Sequence, residues 1–320
     1  MVFKVMTWNV ENLFRPGEAA GPSGASAYDA KLKGLARAIN EQAPDALAVQ
    51  EIGDPAALED LTALLNGTWQ RQVSAHPDVR GIRVAWLSPR PISDPVDITA
   101  FAPGLQPVQV DDDGTTLAQM GRGALAVTIN ADAGIPVRLI TCHLKSKLLT
   151  YPGGRFNPRD EDERARYATY ALDRRAGEAA TVRSGLTRAL AADGQHRAVI
   201  VTGDLNDTVQ AATTQLLQGP PGSEIGTRGF DQADHGDVAR MWNLAPLLPA
   251  GHDYSRINQG RRELIDHILA SRFLVTPVDA VAATAVIEAP LASIDPADPA
   301  ARRDAPSSDH APVVAIFAQL

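Results

Sequence analysis

Polar and acidic residues end several apolar, strand-like segments of this sequence. Burying such groups costs free energy unless they are paired, hydrogen-bonded or bound to a metal. A single acidic or amide residue at a strand end is typical of a turn. Six such places along one chain instead predict that the side chains converge at one edge of the sheets. They are Asn9 and Glu11, Gln50 and Glu51, His143 and Lys145, Asp204 and Asn206, Asp266 and His267, and the run Ser308-Asp309-His310.

The residue types at this predicted edge suit a hard divalent cation. Carboxylate and carbonyl oxygens are the protein ligands that Mg²⁺ and Mn²⁺ prefer. His310 adds an imidazole, which titrates near neutral pH and can transfer a proton. The chain has one cysteine, Cys142, which can form neither an internal disulfide nor a thiolate zinc site. Any metal must therefore bind oxygen or imidazole.

Two hydrophobic patterns predict the elements that position these residues. Two-residue alternation and short apolar runs predict strands at residues 3–10, 46–50, 83–88, 124–130, 137–144, 198–205, 264–271 and 312–318. Helical spacing predicts helices from residue 29 to Pro44, after an N-cap at Asp54, and over residues 160–192. Residues 91–123, 147–159, 219–262 and 289–308 are predicted to be irregular. No short repeat or linker divides the chain, so we predict one α/β domain over residues 1–320.

The composition is that of an ordinary globular protein. Of 320 residues, 44% are hydrophobic and 21% are charged, which argues against a disordered, collagen-like or disulfide-stapled chain. No apolar stretch approaches the roughly 20 residues that cross a bilayer. The first residues lack the regions of a secretory signal. We therefore predict no transmembrane segment and a cytoplasmic location.

The charge is unevenly distributed along the chain. The 30 basic and 38 acidic residues give a net charge of −8, which disfavours a polyanionic partner. Residues 138–197, however, contain 12 basic and 7 acidic residues. This segment is either a solvated helix with mixed charges or a surface that binds phosphates. The sequence leaves both interpretations open.

Six segments closely resemble the motifs of the endonuclease/exonuclease/phosphatase superfamily, which has the deoxyribonuclease I-like fold. They occur in the family's order and span residues 7–313. The resemblance implies a four-layer α/β sandwich, in which two mixed β-sheets pack face to face with helices on the outer faces. It also implies a metal-dependent phosphoesterase. The segments are TWNVENLF (7–14), VQE (49–51), TCHLKS (141–146), VTGDLND (201–207), LIDHIL (264–269) and SDHAPV (308–313).

The same resemblance implies roles for individual residues. Glu51 is the best single ligand for Mg²⁺ or Mn²⁺, and Asn9, Asp266 or Asp309 would complete the oxygen shell. Asp204 would activate or orient the attacking water, and Asn206 would hold that water or a phosphoryl oxygen. His310, oriented by an adjacent carboxylate at Asp309 or by a facing one, would transfer a proton or donate to the phosphate. His143 matches a histidine of the deoxyribonuclease I-like and sphingomyelinase-like branches, where it lies against the phosphate or the leaving group.

Basic residues after His143 are candidates for substrate binding, namely Lys145, Arg155, Arg174 and Arg175. For the arginines the alternative is pairing with acidic residues of the same helix. Strand alternation predicts that His267 and Cys142 face away from the site.

We therefore predict a metal-dependent phosphodiesterase, a nuclease with DNA or RNA as its partner, acting as a monomer with no obligate protein partner. One alternative is a phosphoesterase for a small-molecule or lipid-headgroup ester, such as an inositol phosphate or a sphingomyelin-like headgroup. A second alternative is a binding module without catalytic activity.

Overall fold

The computed structural model describes residues 2–132, 134–275, 280–285, 291–294, 301–318 and 320. The strands are β1 (Val2–Leu13), β2 (Ala46–Ile52), β3 (Gln70–Val73), β4 (Arg83–Ser88), β5 (Ile92–Ala100), β6 (Val108–Gln109), β7 (Thr116–Leu117), β8 (Gln119–Asn130), β9 (Pro136–His143), β10 (Ala198–Asp204), β11 (Met241–Asn243), β12 (Arg256–Asn258), β13 (Arg261–Glu263), β14 (Asp266–Ser271), β15 (Ala280–Ala285) and β16 (Val313–Ala318). The helices are α1 (Ala25–Gln42), α2 (Pro55–Thr62), α3 (Glu161–Leu190), α4 (Ala212–Gln218) and α5 (Arg272–Val275).

Two six-stranded mixed sheets pack face to face. The first has the order β15-β16-β1-β2-β4-β3 and the second β11-β14-β10-β9-β8-β5. Between them, Phe3 and Trp86 of the first sheet pack with Leu139 of the second. The Trp86 indole also crosses the interface and donates a hydrogen bond to the Leu125 carbonyl oxygen at 3.1 Å.

Helices cover the outer faces of both sheets. Leu35 of α1 and Leu58 of α2 pack against Val49 on the first sheet. Val182 of α3 packs against Ile140 on the second sheet. Both faces of the central strands are therefore buried, which explains why those strands are apolar along most of their length. This arrangement confirms the predicted four-layer α/β sandwich.

The predicted helix starts are accurate where a capping residue marks them. Asp54 accepts the Ala56 N–H at 2.8 Å and precedes α2. Asp160 accepts the Glu163 N–H at 2.7 Å and precedes α3. Helix α1 begins at Ala25, before the predicted residue 29. Its N-cap residue, Gly24, has no side chain that could form a capping hydrogen bond, so no capping residue marks this start in the sequence. In the described residues no helix is long and apolar enough to span a membrane.

The prediction of irregular structure at residues 91–123 and 219–262 is wrong in part. The first range contains β5, β6, β7 and the start of β8. Strand β5 lies at a sheet edge, carries Pro95 and is largely exposed, so it lacks apolar alternation. The second range contains β11 and β12, whose three residues each are too few to show a period. Of the predicted irregular range 289–308, residues 289–290 and 295–300 lie outside the described part.

The strand order brings the polar strand ends to one edge. β1 is parallel to β2, and Asn9 is in register with Gln50. β9 is parallel to β10, and His143 is in register with Asp204. β14 runs antiparallel to β10 and places Asp266 opposite Asp204. Parallel strands end at the same edge of a sheet, and β16 follows His310 at that edge because it is antiparallel to β1.

Candidate active site

The strand ends at this edge have an unusual backbone. Glu11, Asn12, Glu51 and Asn206 have φ values of 53°, 48°, 66° and 54°. Left-handed backbone costs about 1–3 kcal/mol for a residue other than glycine, and asparagine tolerates it best. Such strain persists only where surrounding contacts over-determine the conformation, and it concentrates at functional sites. The side-chain hydrogen bonds described next supply those contacts.

Asn9 joins the two sheets at the site. Its Nδ2 donates to Asp204 Oδ2 at 3.0 Å and to Glu51 Oε1 at 3.3 Å. Its Oδ1 accepts the Glu11 N–H at 3.0 Å. The other oxygen of Glu51, Oε2, accepts the Asn12 N–H at 2.9 Å. The structure thus brings together three residues that the sequence predicts for the site, Asn9, Glu51 and Asp204.

The Asp204 carboxylate contacts Asn9 and Asn206 and lies close to two histidines. Its Oδ1 accepts the Asn206 N–H at 2.9 Å, and its Oδ2 lies 3.3 Å from His143 Nε2 and 4.0 Å from His310 Nε2. Burial, together with the charge of Asp266, raises the pKa of Asp204 to about 7, although His310 acts in the opposite direction. A carboxyl group with this pKa can exchange a proton near neutral pH.

A facing carboxylate orients His310. Asp266 Oδ2 lies 2.6 Å from His310 Nδ1. Burial lowers the pKa of His310, but the charges of Asp266 and Asp309 outweigh it and raise that pKa to about 10. The imidazole is therefore held as a cation at neutral pH. The Asp309 carboxylate itself points elsewhere, with Oδ2 at 3.9 Å from Arg256 Nε.

In contrast to the cationic His310, His143 is uncharged at neutral pH. Burial, together with the charge of Arg122, lowers the pKa of His143 well below its usual value. Arg122 Nη1 lies 2.5 Å from His143 Nδ1, and Asp78 lies 3.6 Å from the Arg122 guanidinium. Sequence reasoning missed Arg122, because it falls in the range predicted to be irregular. No sequence pattern distinguishes Arg122, because its neighbours His143 and Asp78 come from other segments of the chain.

The donor set at this edge fits a hard divalent cation. Glu51 supplies a carboxylate at the strand end, and among the described residues Asp266 Oδ1 and Asn12 Oδ1 are buried without a hydrogen-bond partner. A cation or a water bound to a cation would satisfy such oxygens. Ligand atoms of Asp204, Asp266 and His310 also lie within 4.8 Å of one another. Asp266 Oδ2 holds the His310 imidazole as a cation, so the imidazole suits proton transfer, whereas Asp266 Oδ1 remains available to a metal ion.

The predicted substrate-binding residues differ in their surroundings. Arg155 pairs with Glu163 at 2.8 Å and Arg174 with Glu178 at 3.0 Å. Lys145 Nζ donates to the Ser146 and Leu148 carbonyl oxygens, and burial and Arg174 lower its pKa to about 8.

Arg175 is buried beneath the segment that follows His143. It donates to Asp207 Oδ2 and to the Lys145 carbonyl oxygen, both at 3.0 Å. Within the described part of the chain, Lys145 is thus the member of the predicted set without a carboxylate partner within 4.0 Å.

His267 and Cys142 face away from the site, as strand alternation predicts. His267 binds the Asp207 carbonyl oxygen at 2.9 Å, and Cys142 lies in the core beneath α3.

Glu178 of α3 pairs with Arg174, as the sequence allowed for arginines of this helix, but its contact with the segment after His143 was not predicted. Its Oε2 accepts the Lys145 N–H at 2.6 Å and its Oε1 accepts the Gly121 N–H at 3.0 Å.

Glu178→Ala is expected to lower the free energy of unfolding by about 3 kcal/mol, because it leaves buried donors and the Arg174 charge unpaired. Urea denaturation would measure this. Asp173→Ala, on the exposed side of the same helix, should change stability by no more than about 0.5 kcal/mol. Equal losses in both variants would contradict the assignment.

Residues 6–310 match the Endonuclease/Exonuclease/phosphatase family, and the chain belongs to this family. Family members hydrolyse phosphoester bonds and depend on divalent metal ions. No curated protein sequence matches the chain.

Solved structures from three organisms share the fold. The human Nocturnin catalytic domain with bound sulfate anion has a TM-score of 0.57 and 16% identity, covering 99% of this chain and 94% of that one. D. rerio TDP2 complexed with single strand DNA product has a TM-score of 0.54 and 16% identity, covering 99% and 98%. The mannosyl-6-phosphatase Bt3783 of Bacteroides thetaiotaomicron VPI-5482 has a TM-score of 0.56 and 13% identity, covering 98% of both chains. At these identities the likeness concerns the fold and leaves the substrate open.

Proposed function

We propose that the protein is a Mg²⁺- or Mn²⁺-dependent phosphodiesterase that hydrolyses the backbone of DNA or RNA by in-line attack of an activated water. The observation that carries this proposal is the position of Asp204 between Asn9, His143 and His310. A cationic imidazole, His310, and a neutral one, His143, thus lie within 4.0 Å of the same carboxylate oxygen, Asp204 Oδ2. Among the structural relatives, the Nocturnin structure holds a sulfate anion and the TDP2 structure holds a single strand DNA product, which supports an anionic phosphoester as substrate.

Asp204 is the group that accepts a proton from the attacking water. Asn9 and the Asn206 N–H each hold one of its oxygens, so the carboxylate cannot rotate freely. A water hydrogen-bonded to Asp204 would transfer its proton as its oxygen attacks phosphorus on the side opposite the leaving oxygen. Asn206 would hold that water or a phosphoryl oxygen.

His310 and His143 act on the phosphoryl group. Asp266 fixes His310 Nδ1, which leaves Nε2–H to donate to a phosphoryl or leaving oxygen. Neutral His143 can donate a hydrogen bond from one ring nitrogen only. Because Arg122 faces Nδ1, the donor is Nε2–H, which lies 3.3 Å from Asp204 Oδ2. These residues would thereby stabilise the negative charge that develops on the phosphoryl and leaving oxygens during hydrolysis.

Glu51 and the unpaired Asp266 Oδ1 would hold Mg²⁺ or Mn²⁺, which would neutralise charge on the phosphoryl oxygens. Asn9 and Asp309, the other ligands predicted from the sequence, fit less well, because Asn9 presents its NH₂ group to Glu51 and Asp309 faces Arg256.

The proposal is tested by hydrolysis of supercoiled plasmid, single-stranded DNA, RNA and bis-p-nitrophenyl phosphate with Mg²⁺, Mn²⁺ or EDTA. We expect polymer cleavage that requires metal and that disappears in His310→Ala protein prepared in parallel. Equal cleavage by the wild type and by that variant would contradict the proposed role of His310, and the absence of metal-dependent cleavage of every polymer would contradict a nuclease.

Lys145→Met is expected to weaken nucleic-acid binding and to reduce the salt dependence of the binding constant by about one counterion. The reason is that Lys145 lies beside His143 without a carboxylate partner in the described residues. Binding titrations at several salt concentrations would measure the slope. Lys33→Met is the matched control, because Lys33 is exposed on α1 and pairs with Asp29. An unchanged slope in Lys145→Met would exclude a phosphate contact.

A second candidate is a phosphoesterase for a small phosphate ester. Its support is the pairing of Arg155, Arg174 and Arg175 with carboxylates, which leaves less free positive charge for a polyanion, and a relative that is a mannosyl-6-phosphatase. Metal-dependent turnover of p-nitrophenyl phosphate or a hexose 6-phosphate with nucleic acids intact would favour this candidate.

A further inference from the structure

Glu11 lies in the irregular end of β1 and connects it to the carboxyl-terminal segment that carries His310. Its Oε1 and Oε2 accept hydrogen bonds from Arg302 Nε and Nη2, both at 2.8 Å. Oε2 also accepts the Asp309 N–H at 3.1 Å. The Glu11 carbonyl oxygen accepts a hydrogen bond from the Lys31 ammonium group. One residue therefore holds two distant parts of the chain together at the edge of the site.

Glu11 also fixes the orientation of the Asn9 amide. Its N–H donates to Asn9 Oδ1 at 3.0 Å, so the NH₂ group of Asn9 faces Glu51 and Asp204. The reverse orientation would place the amide oxygen against two carboxylates and the NH₂ group against an N–H donor. The backbone of Glu11 thereby sets which way Asn9 presents its donors to Asp204.

Arg302 extends the connection toward His310. Its Nη2 also donates to the Ser307 carbonyl oxygen at 3.1 Å. The next residue, Ser308, donates from Oγ to the Asn9 carbonyl oxygen at 2.5 Å and accepts the His310 N–H at 3.0 Å. The side chains of Arg302 and Glu11 are 19% and 12% exposed, so solvent screens this bidentate pair less than a surface pair.

We propose that the Glu11–Arg302 pair is a positioning device for catalysis, which holds the Asp309–His310 segment and the end of β1 in the geometry that Asp204 requires. The inference rests on the proposed function, and it adds two residues that have no contact with the reacting groups. A small displacement of the His310 segment would change the distance from Nε2 to the phosphoryl group, and displacements of about 1 Å can cost about 100-fold in rate.

Arg302→Met removes the guanidinium and keeps most of the apolar stem. It is expected to lower kcat about 10- to 100-fold with KM nearly unchanged, and to speed hydrogen exchange at the Asp309 and His310 amides. Arg302→Lys should recover part of both losses. The matched control is Arg15→Met, because Arg15 makes a bidentate pair with Asp60 at 2.7 Å on α2 and should leave kcat and those two amides unchanged.

Unchanged kcat in Arg302→Met would overturn the inference, as would unchanged exchange at both amides. A kcat loss matched in Arg15→Met would also overturn it, because the effect would then be a general loss of stability. Hydrogen exchange requires no turnover. If the wild-type protein hydrolysed no phosphoester, the proposed function would fail, whereas the exchange comparison would still decide whether the pair holds the His310 segment.

Discussion

Replacing His310 with alanine is expected to lower kcat for phosphoester hydrolysis about 1,000-fold, within the range usual for loss of a proton donor. The imidazole is held by Asp266 at 2.6 Å and faces Asp204 at 4.0 Å, and no other described imidazole occupies an equivalent position beside Asp266. Single-turnover assays on bis-p-nitrophenyl phosphate at saturating Mn²⁺ would measure the loss. Thermal unfolding of the same sample would separate this loss from the destabilisation expected when the buried Asp266 loses its partner.

The pH profile distinguishes a cationic His310 that donates to the phosphate or the leaving oxygen from a neutral His310 that accepts a proton. Its pKa is raised to about 10, so the cationic form is present below that pH and is lost as pH rises through it. If the imidazolium is the donor, activity falls above about pH 10 in wild-type protein, and this limb is absent in His310→Ala. If the neutral imidazole were the base, activity would instead rise with pH toward 10.

His196→Ala is the matched control for this prediction. His196 Nδ1 lies 2.7 Å from Asp193 Oδ1 in an exposed pair, which repeats the histidine–carboxylate geometry away from the site. Its replacement should leave kcat within about twofold of wild type. A His310→Ala protein as active as His196→Ala would remove His310 from the site.

The hydrophobic pattern predicted an α/β chain and its central strands, whereas the four-layer sandwich was predicted from the family resemblance. An uninterrupted apolar run between polar ends marks a central strand, so the bounds of such strands were predicted well. Strand β4 has the predicted bounds, and β10 ends one residue earlier than predicted. Strand β5 carries Pro95 and exposed residues at the sheet edge, where tertiary pairing rather than pattern defines a strand. Sequence could therefore predict the centre of each sheet better than its edges.

The candidate site was predictable where polar residues interrupt an apolar pattern. Asp204 and Asp266 stand at such positions and pair in register. The partner of His310 was left open between an adjacent and a facing carboxylate, because Asp266 is 44 residues away along the chain and only the packing of β14 beside β10 selects it. Arg122 and Glu178 interrupt no strand pattern that predicts a site, and their importance comes from tertiary contacts alone.

Glu51→Gln is expected to raise the Mn²⁺ concentration for half-maximal activity at least about 100-fold. The substitution keeps the size of the side chain and removes the charge of the carboxylate that we assign as the main metal ligand. The amide would also set an NH₂ group against either Asn9 Nδ2 or the Asn12 N–H, which costs about 1–3 kcal/mol of stability. Metal titrations of activity and direct Mn²⁺ binding by calorimetry would measure the change.

Two comparisons make this prediction specific to the metal. Glu59→Gln alters an exposed glutamate on α2 that pairs with Arg71, and it should leave Mn²⁺ affinity unchanged. In Glu51→Gln, excess Mn²⁺ should recover part of the activity, because a weakened site still fills by mass action. If Mn²⁺ affinity were equal in wild type and Glu51→Gln while kcat fell, the carboxylate would act on the substrate or on Asn9 instead. The main metal ligand would then be another oxygen of the site, and Asp266 Oδ1, which is buried without a partner, would be the first to test.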